Sequence, residues 1–211
     1  MKQYMIRNEK NRSLHIFFAG WGMDQHPFAG LSTEKEDLMI CYDYSDMTFD
    51  FSLLSGYENI HLTAWSMGVR AAAATFENTD IRFSERIAIN GTMNPVHDTN
   101  GIPCAVFEGT LQSLNPKNLE RFNRRMCNSD KNLIAQFTAH APQRDIESLR
   151  EELAAIGIQA SNTTPDFHWD KVIIGENDLI FPFINQQNAW SENGNVVILP
   201  IAHYAPFDSI L

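Results

Sequence analysis

The 211-residue sequence predicts an α/β fold, with a mostly parallel central sheet, flanking helices and a small helical lid. Short apolar segments bounded by polar or glycine-containing stretches recur along the chain, as expected for strands covered on both faces. Helical stretches separate several of these segments, which is typical of parallel sheets. Between about residues 91 and 168 the strand pattern gives way to helices. We therefore predict one domain over residues 1–211, with a lid inserted at 91–168.

Seven segments have the pattern of strands. Residues 3–7 and 14–18 flank a polar turn at 8–11, so we expect a β-hairpin at the start of the chain. The five later segments are residues 38–42, 60–64, 86–89, 171–174 and 196–199. Residues 69–76 contain four alanines, which favour a helix that can lie close to the sheet.

Two amphipathic helices are predicted in the insertion. The first begins at Asn115 and Pro116, which suit a helix cap and the first helical position. Its apolar face comprises Leu119, Phe122 and Met126. The second helix, near residues 145–156, is expected to end at Gly157. Its apolar stripe comprises Ile146, Leu149, Leu153 and Ile156.

Composition excludes several classes of function. The net charge of −10 disfavours nucleic acid as a partner, because no long basic stripe is present to bind phosphates. The charged N-terminus has no signal-peptide pattern and no segment approaches membrane-spanning length, so we expect a cytoplasmic protein without membrane contact. The three cysteines are widely spaced, which favours buried, reduced thiols over a disulfide or a metal site. They are Cys41, Cys104 and Cys127.

A candidate nucleophile follows the strand at residues 60–64. The chain passes from this strand through Ser66 directly into the alanine-rich helix, with Ala64 and Gly68 two residues to either side. A sharp turn of this kind projects a serine hydroxyl away from the backbone, and small flanking residues relieve crowding. The pattern departs from Gly-x-Ser-x-Gly only by one methyl group. An ordinary strand-to-helix turn would also fit this segment alone.

A serine nucleophile requires a base and an acid that orients the base. Asp178 follows the strand at 171–174, and His203 follows the strand at 196–199. The order serine, aspartate, histidine, with each residue beyond a strand, is that of α/β-hydrolases, and this is the fold we predict. Glu176 and Asp170 are the competing acids, and Asp178 has the better placement. The other six histidines lie earlier in the chain and do not fit the order.

The glycine-rich loop at residues 18–22 follows the second strand, where α/β-hydrolases place one donor for the oxyanion. We predict that the backbone amides of Trp21 and Met67 form the oxyanion hole, and that Trp21 also borders the acyl pocket. A tight turn that needs glycine for its conformation alone is the alternative.

Several motifs together resemble the BioG-type pimeloyl-[acyl-carrier protein] methyl ester esterases of biotin synthesis, within the α/β-hydrolase superfamily. They comprise residues 17–24 (FFAGWGMD), 64–68 (AWSMG), 90–95 (NGTMNP), 102–103 (IP), 107–111 (FEGTL) and 202–207 (AHYAPF). Related BioH-type esterases have a histidine where Ala19 stands, and Tyr204 is inserted after His203 in comparison with them. Because the chain stops at Leu211, we expect the helix that usually follows the histidine to be absent or vestigial.

The resemblance implies hydrolysis of the methyl ester of pimeloyl-[acyl-carrier protein], with release of methanol and without metal or organic cofactor. Acyl-carrier proteins are acidic, so an enzyme of net charge −10 needs cations where the carrier docks. The candidate is the face of the 115–126 helix formed by Arg121, Arg124 and Arg125, although a solvated helix face fits equally well. A small-acyl esterase or thioesterase, or a non-catalytic binding module, are the alternative functions.

Overall fold

The computed structural model describes residues 1–31, 36–205 and 207. Its strands are β1 (Lys2–Arg7), β2 (Ser13–Phe18), β3 (Asp37–Tyr42), β4 (Asn59–Trp65), β5 (Glu85–Ile89), β6 (Lys171–Asn177) and β7 (Val196–Ala202). They form one sheet in the order β1-β3-β2-β4-β5-β6-β7, in which only the β1–β3 pair is antiparallel. The predicted α/β class with a mostly parallel sheet is confirmed.

Helices lie against the sheet and in the segment between β5 and β6. They are α1 (Gly68–Phe76), α2 (Cys104–Gln112), α3 (Pro116–Met126), α4 (Lys131–Ala139), α5 (Ile146–Ala160) and α6 (Phe183–Ala189). Helix α1 packs against β2 and β4, and α6 packs against β6. None of the helices in the described residues combines the length and the apolar character needed to cross a bilayer.

The predicted β-hairpin at the start of the chain is wrong. Strand β1 pairs with β3, which lies between β1 and β2. The buried carboxylate of Asp37, the first residue of β3, accepts hydrogen bonds from the Glu9 amide and from the Asn11 side chain, both at 2.9 Å. The polar turn is thus held by the strand that separates β1 from β2.

The segment between β5 and β6 contains four helices where the sequence predicted two. Helix α3 begins as predicted, because the Asn115 side chain accepts from the Asn118 amide at 3.0 Å. Helix α5 passes through Gly157, so the expected stop there is wrong. A Cβ atom at Gly157 would lie 3.0 Å from the Phe107 ring, and glycine therefore permits close packing of α5 on α2. The assignment of residues 91–168 as a lid within one domain stays a prediction.

All three cysteines lie in the described residues and are unpaired. Cys41 and Cys127 are buried as expected, whereas Cys104, at the start of α2, is partly exposed. Burial raises the pKa of the Cys127 thiol to about 11 and raises that of Cys41 as well. Neither buried thiol is therefore a reactive thiolate at neutral pH.

An ion pair joins the starts of β5 and β6. The Arg86 guanidinium donates to both carboxylate oxygens of Asp170 at 2.9 Å, and the Arg86 amide donates to Oδ2 at 2.9 Å. The hydrogen bonds from the Arg86 side chain hold the pKa of Asp170 below its ordinary value. Since the folded-state pKa is lowered, this pair stabilises the fold above the unfolded-state pKa, and its contribution disappears as the pH falls through the folded-state pKa.

We expect Asp170→Asn to lower the free energy of unfolding by about 1 kcal/mol at pH 7, a value kept small because the pair is partly exposed. The loss should shrink at pH 3, where the wild-type carboxyl is also becoming protonated. Urea unfolding at both pH values measures this difference. The exposed Asp80→Asn is the control and should differ little from wild type at either pH. An equal loss from Asp170→Asn at both pH values would contradict the assignment.

Candidate active site

Ser66 lies in a strained turn between β4 and α1. Its φ angle is +61°, in the left-handed region that residues other than glycine rarely adopt. The turn fits because its neighbours are small: a Cβ atom at Gly68 would lie 2.5 Å from the carbonyl oxygens of Phe18 and Ala19. A Cβ atom at Gly20 would lie 3.0 Å from the Ser66 Cβ. The loop after β2 therefore lies directly against the serine.

The structure brings together the three residues predicted to react. His203 Nε2 lies 3.0 Å from Ser66 Oγ, and His203 Nδ1 lies 2.8 Å from Asp178 Oδ2. All three side chains are buried, with exposed fractions of 5% for Ser66, 5% for Asp178 and 1% for His203. When a carboxylate binds an imidazole that in turn binds a hydroxyl, the imidazole can activate the hydroxyl as a nucleophile. Their catalytic role stays a prediction.

Asp178 is oriented by donors from its own turn and from α6. Its Oδ1 accepts from the amides of Ile180 at 2.7 Å and Phe181 at 2.9 Å, and its Oδ2 accepts from Gln186 Nε2 at 3.0 Å. The competing acids lie elsewhere: Glu176 is exposed, and Asp170 is paired with Arg86 before β6 begins. Asp178 is therefore the carboxylate that contacts His203.

Two residues that sequence reasoning missed hold the His203 backbone. Trp65 Nε1 donates to the His203 carbonyl at 2.8 Å. Asn90, which follows β5, donates through Nδ2 to the Ala202 carbonyl at 2.8 Å and accepts from the Gly175 amide at 2.7 Å. Its φ of +46° is one that asparagine tolerates better than most residues, so an asparagine before a glycine, directly after a strand, is the sequence signal that could have identified it.

Support behind His203 also comes from aromatic rings. The Phe181 ring stacks on the imidazole at 5.8 Å between centroids, and Trp65 lies at 5.2 Å from it. Phe207 packs against Trp65 at 5.1 Å. The expected absence of a terminal helix concerns residues 208–211, which lie outside the described residues, as does Pro206 of the histidine motif.

Trp21 and Met67, whose amides are the predicted oxyanion donors, border the same cavity as Ser66 and His203. Within the described residues, neither the Trp21 nor the Met67 amide donates to a protein acceptor. The Trp21 side chain is fixed in place, because its Nε1 donates to the Leu149 carbonyl of α5 at 2.9 Å. Both amides are thus available to a ligand, and their role as the oxyanion hole stays a prediction.

A buried carboxylate on α5 anchors the loop that carries Trp21. Glu152 is fully buried and accepts from the Gly22 amide at 3.2 Å, the Tyr44 amide at 3.1 Å and Arg144 Nη1 at 2.6 Å. Arg144 also pairs with Asp43 at 3.2 Å. Burial raises the pKa of the Glu152 carboxyl, and the Arg144 guanidinium and the two amides oppose that rise. For this helix the sequence analysis predicted only an apolar stripe, so the hydrogen bonds and the ion pair of Glu152 were missed.

The cavity beside Ser66 is small and mostly apolar. It measures 30 Å³, and it is bordered by residues of three helices from the segment between β5 and β6 together with residues at the strand ends. Among them are Val106, Phe107, Thr110, Phe122, Met126 and Leu153. A groove of 340 Å³ between α2 and α3 adjoins it, and the two share Val106, Thr110, Phe122 and Arg125.

The three arginines of α3 are exposed but do not act as one group. Arg121 and Arg125 both border the groove beside the cavity, and Arg125 Nη2 donates to the Leu179 carbonyl at 2.8 Å. Arg124 lies on a different groove and pairs with Glu120 at 3.6 Å. The structure therefore places two of the three predicted carrier-binding residues next to the site.

The structural class of the protein is defined by three features: the order of the strands in the sheet, the strained turn at Ser66 and the histidine next to this serine. The fold is that of the α/β-hydrolases, and structures of that class match it over most of its length. One of them is the putative non-heme bromoperoxidase BpoC of Mycobacterium tuberculosis, with a TM-score of 0.68 and 14% identity, over 99% of this chain and 91% of BpoC.

The chain belongs to the BioG family, since the family model described as "Pimeloyl-ACP methyl esterase BioG" matches residues 1–208. The crystal structure of BioG from Haemophilus influenzae is similar, with a TM-score of 0.89 and 34% identity over 97% of this chain and 94% of BioG. The predicted resemblance is therefore confirmed, and the family is described as one of esterases.

One curated relative is much longer than this chain. It is a malonyl-[acyl-carrier protein] O-methyltransferase of Bacteroides fragilis (strain 638R), 50% identical over 183 residues, which are 86% of this chain and 37% of the relative. This chain thus spans little more than a third of that relative. An uncharacterized protein of Haemophilus influenzae is 37% identical over 194 residues, covering 90% of this chain and 88% of that protein.

We expect Glu152→Gln to lower the free energy of unfolding by about 3 kcal/mol, because the buried Arg144 loses a full counter-charge. The kcat for a nitrophenyl ester should fall about tenfold or more, because the single acceptor oxygen of glutamine cannot replace both carboxylate oxygens that hold the Gly22 and Tyr44 amides, and the Trp21 loop shifts as a result. Urea unfolding and steady-state kinetics measure the two effects. The exposed Glu151→Gln on the same helix is the control. Unchanged stability and kcat in Glu152→Gln would exclude the anchoring role.

Proposed function

We propose that this protein is a serine esterase that hydrolyses the methyl ester of pimeloyl-[acyl-carrier protein], leaving the thioester to the carrier intact. The observation that carries the proposal is the hydrogen-bonded succession of Ser66, His203 and Asp178 at a cavity of a BioG-family chain. The family supplies the substrate class, and the site supplies a chemistry that suits it.

In the first half of the reaction, Ser66 Oγ attacks the carbonyl carbon of the methyl ester while His203 Nε2 takes the hydroxyl proton. The carbonyl oxygen acquires negative charge, which the amides of Trp21 and Met67 stabilise. The carbon–oxygen bond to the methoxy group then breaks. Methanol leaves with the proton that His203 returns, and a pimeloyl ester of Ser66 remains.

In the second half, His203 removes a proton from water, which attacks the acyl-enzyme carbonyl carbon. The bond to Ser66 Oγ breaks, the serine regains its proton, and the free ω-carboxylate product leaves. Asp178 Oδ2, at 2.8 Å from Nδ1, keeps the imidazole in the tautomer that accepts at Nε2 and stabilises the imidazolium. These steps use the chain's own residues and water, and no organic cofactor.

The name of the Bacteroides fragilis relative supports a methyl ester on a carrier-bound acyl group. An O-methyltransferase acting on malonyl-[acyl-carrier protein] makes the kind of ester bond that the proposed reaction hydrolyses. The segment of that relative that aligns with this chain covers 37% of its length, which leaves room for a separate methyltransferase region.

Substrate reaches Ser66 through the groove between α2 and α3. The cavity volume of 30 Å³ is room for about one or two water molecules, whereas the adjoining groove has 340 Å³. The shared side chains Val106, Phe122 and Arg125 therefore move aside when the acyl chain enters.

Arg121 and Arg125 attract the acidic carrier to the opening of this groove. The chain has a net charge of −10, so local cations are needed to offset its repulsion of an acidic partner. Arg124 contributes less, because it borders a different groove and is paired with Glu120.

We expect Ser66→Ala to lower kcat for methyl-pimeloyl carrier protein by about 10⁴-fold or more, because the nucleophile is lost. The exposed Ser191→Ala should retain wild-type turnover. Methanol release measures turnover, and rescue of a biotin auxotroph that lacks its methyl esterase tests the function in cells. Unchanged turnover in Ser66→Ala would exclude the mechanism, and failure of the wild-type chain to rescue would exclude the substrate.

We expect Arg121→Glu to lower kcat/KM for the carrier-linked substrate about tenfold relative to a nitrophenyl ester, since charge reversal repels the acidic carrier. Arg124→Glu is the matched control and should have a smaller effect on the same ratio. The wild-type preference should also weaken as salt is added. A wild-type enzyme that is indifferent to the carrier would instead favour a small-acyl esterase or thioesterase of broader specificity.

A further inference from the structure

Three side chains outside the proposed active site converge on one side of the sheet. His15 of β2 and His61 of β4 are direct neighbours across two parallel strands, and Glu36 immediately precedes β3. Their potential ligand atoms all lie within 4.8 Å of one another. The cluster thus draws on three strands that are adjacent in the sheet, in the order β3, β2 and β4.

The distances within the cluster are close to those between the ligands of a metal ion. His15 Nδ1 lies 3.3 Å from Glu36 Oε2, and His61 Nδ1 lies 3.0 Å from Glu36 Oε1. Ligand atoms around a tetrahedral Zn²⁺ lie about 3.3–3.6 Å apart, given bonds of about 2.0–2.2 Å to nitrogen and oxygen. The two histidines lie near different oxygens of Glu36, so both carboxylate oxygens face the position that an ion would take. Two imidazoles and one carboxylate are also a ligand set that zinc accepts in proteins.

A hydrogen bond orients the His15 ring, as is common for histidines that bind a metal. Its Nε2 lies 2.9 Å from Oγ1 of the fully buried Thr63. In the tautomer whose Nε2–H donates to this oxygen, Nδ1 presents its lone pair toward Glu36. A histidine that binds a metal is commonly oriented by such a bond from its other ring nitrogen.

We propose that His15, Glu36 and His61 bind one Zn²⁺ ion, with water as the fourth ligand. The His61 side chain is 35% exposed, so solvent reaches the site. His61 lies five residues before Ser66 along β4, a separation of about 16 Å in an extended strand. The ion therefore fastens β2, β4 and the start of β3 together and takes no part in ester hydrolysis.

Titration of the metal-free chain with CoCl₂ and ZnCl₂ tests the site without any esterase assay. We expect one Co²⁺ per chain, with the visible absorption of a tetrahedral complex, and its displacement by Zn²⁺. The melting temperature should rise by about 5–10 °C at a Zn²⁺ concentration about 100 times the dissociation constant.

His61→Asn and Glu36→Gln should each weaken Co²⁺ binding about tenfold or more, and the rise in melting temperature should shrink accordingly. The exposed His168→Asn controls for binding by surface histidines and should behave as wild type. Circular dichroism confirms that each variant is folded. Absence of stoichiometric binding in the wild type, or equal binding by His61→Asn, would mean that the three side chains form only hydrogen bonds and would overturn the proposal.

Discussion

The left-handed backbone at Ser66 is the constraint on which the site depends. This conformation costs roughly 1–2 kcal/mol for a residue with a side chain, so the surrounding structure has to impose it. The Ser66 amide donates to the Ile89 carbonyl at 3.0 Å, and its carbonyl accepts from the Val69 amide at 3.1 Å. The end of β5 and the start of α1 thereby fix the turn from both sides. These elements can lie this close to the Ser66 turn because three neighbouring positions have no side chain: Gly20, Gly68 and Gly91.

The same elements also determine where the histidine lies. Trp65, directly before the serine, and Asn90, directly after β5, both hold the backbone at His203. Trp65 precedes the Ser66 turn and Asn90 follows it in the sequence, whereas His203 lies more than a hundred residues after either of them. Hydrogen bonds at the carboxyl ends of β4, β5 and β7 therefore set the distance between Ser66 and His203. The two side chains need no large rotation to reach hydrogen-bond distance.

Sequence reasoning succeeded where a local pattern determines the structure. Apolar and strand-forming runs placed all seven strands, and the order of the candidate reactive residues placed Ser66, Asp178 and His203 beyond strand ends. It failed where a distant contact decides. Strand β1 pairs with β3 and not with its neighbour in the sequence, the packing at Gly157 depends on Phe107, and the buried Glu152 binds the amides of Gly22 and Tyr44. Asn90 had a local signal, but its partners are 85 and 112 residues away.

The Glu152 network also bears on how the cavity opens. A buried ion pair adds little stability compared with apolar packing, so its consequence here is geometric. Glu152 ties α5 to the Trp21 loop and to Tyr44, and the Leu149 carbonyl ties it to the Trp21 ring. Movement of α5 would therefore displace a predicted oxyanion donor. The proposed opening between α2 and α3 would leave this donor in place, because exposed Val106 and Arg125 separate the cavity from the larger groove there. In the proposed mechanism, α5 therefore fixes the position of the predicted oxyanion donor, and the groove between α2 and α3 is the proposed entrance for the substrate.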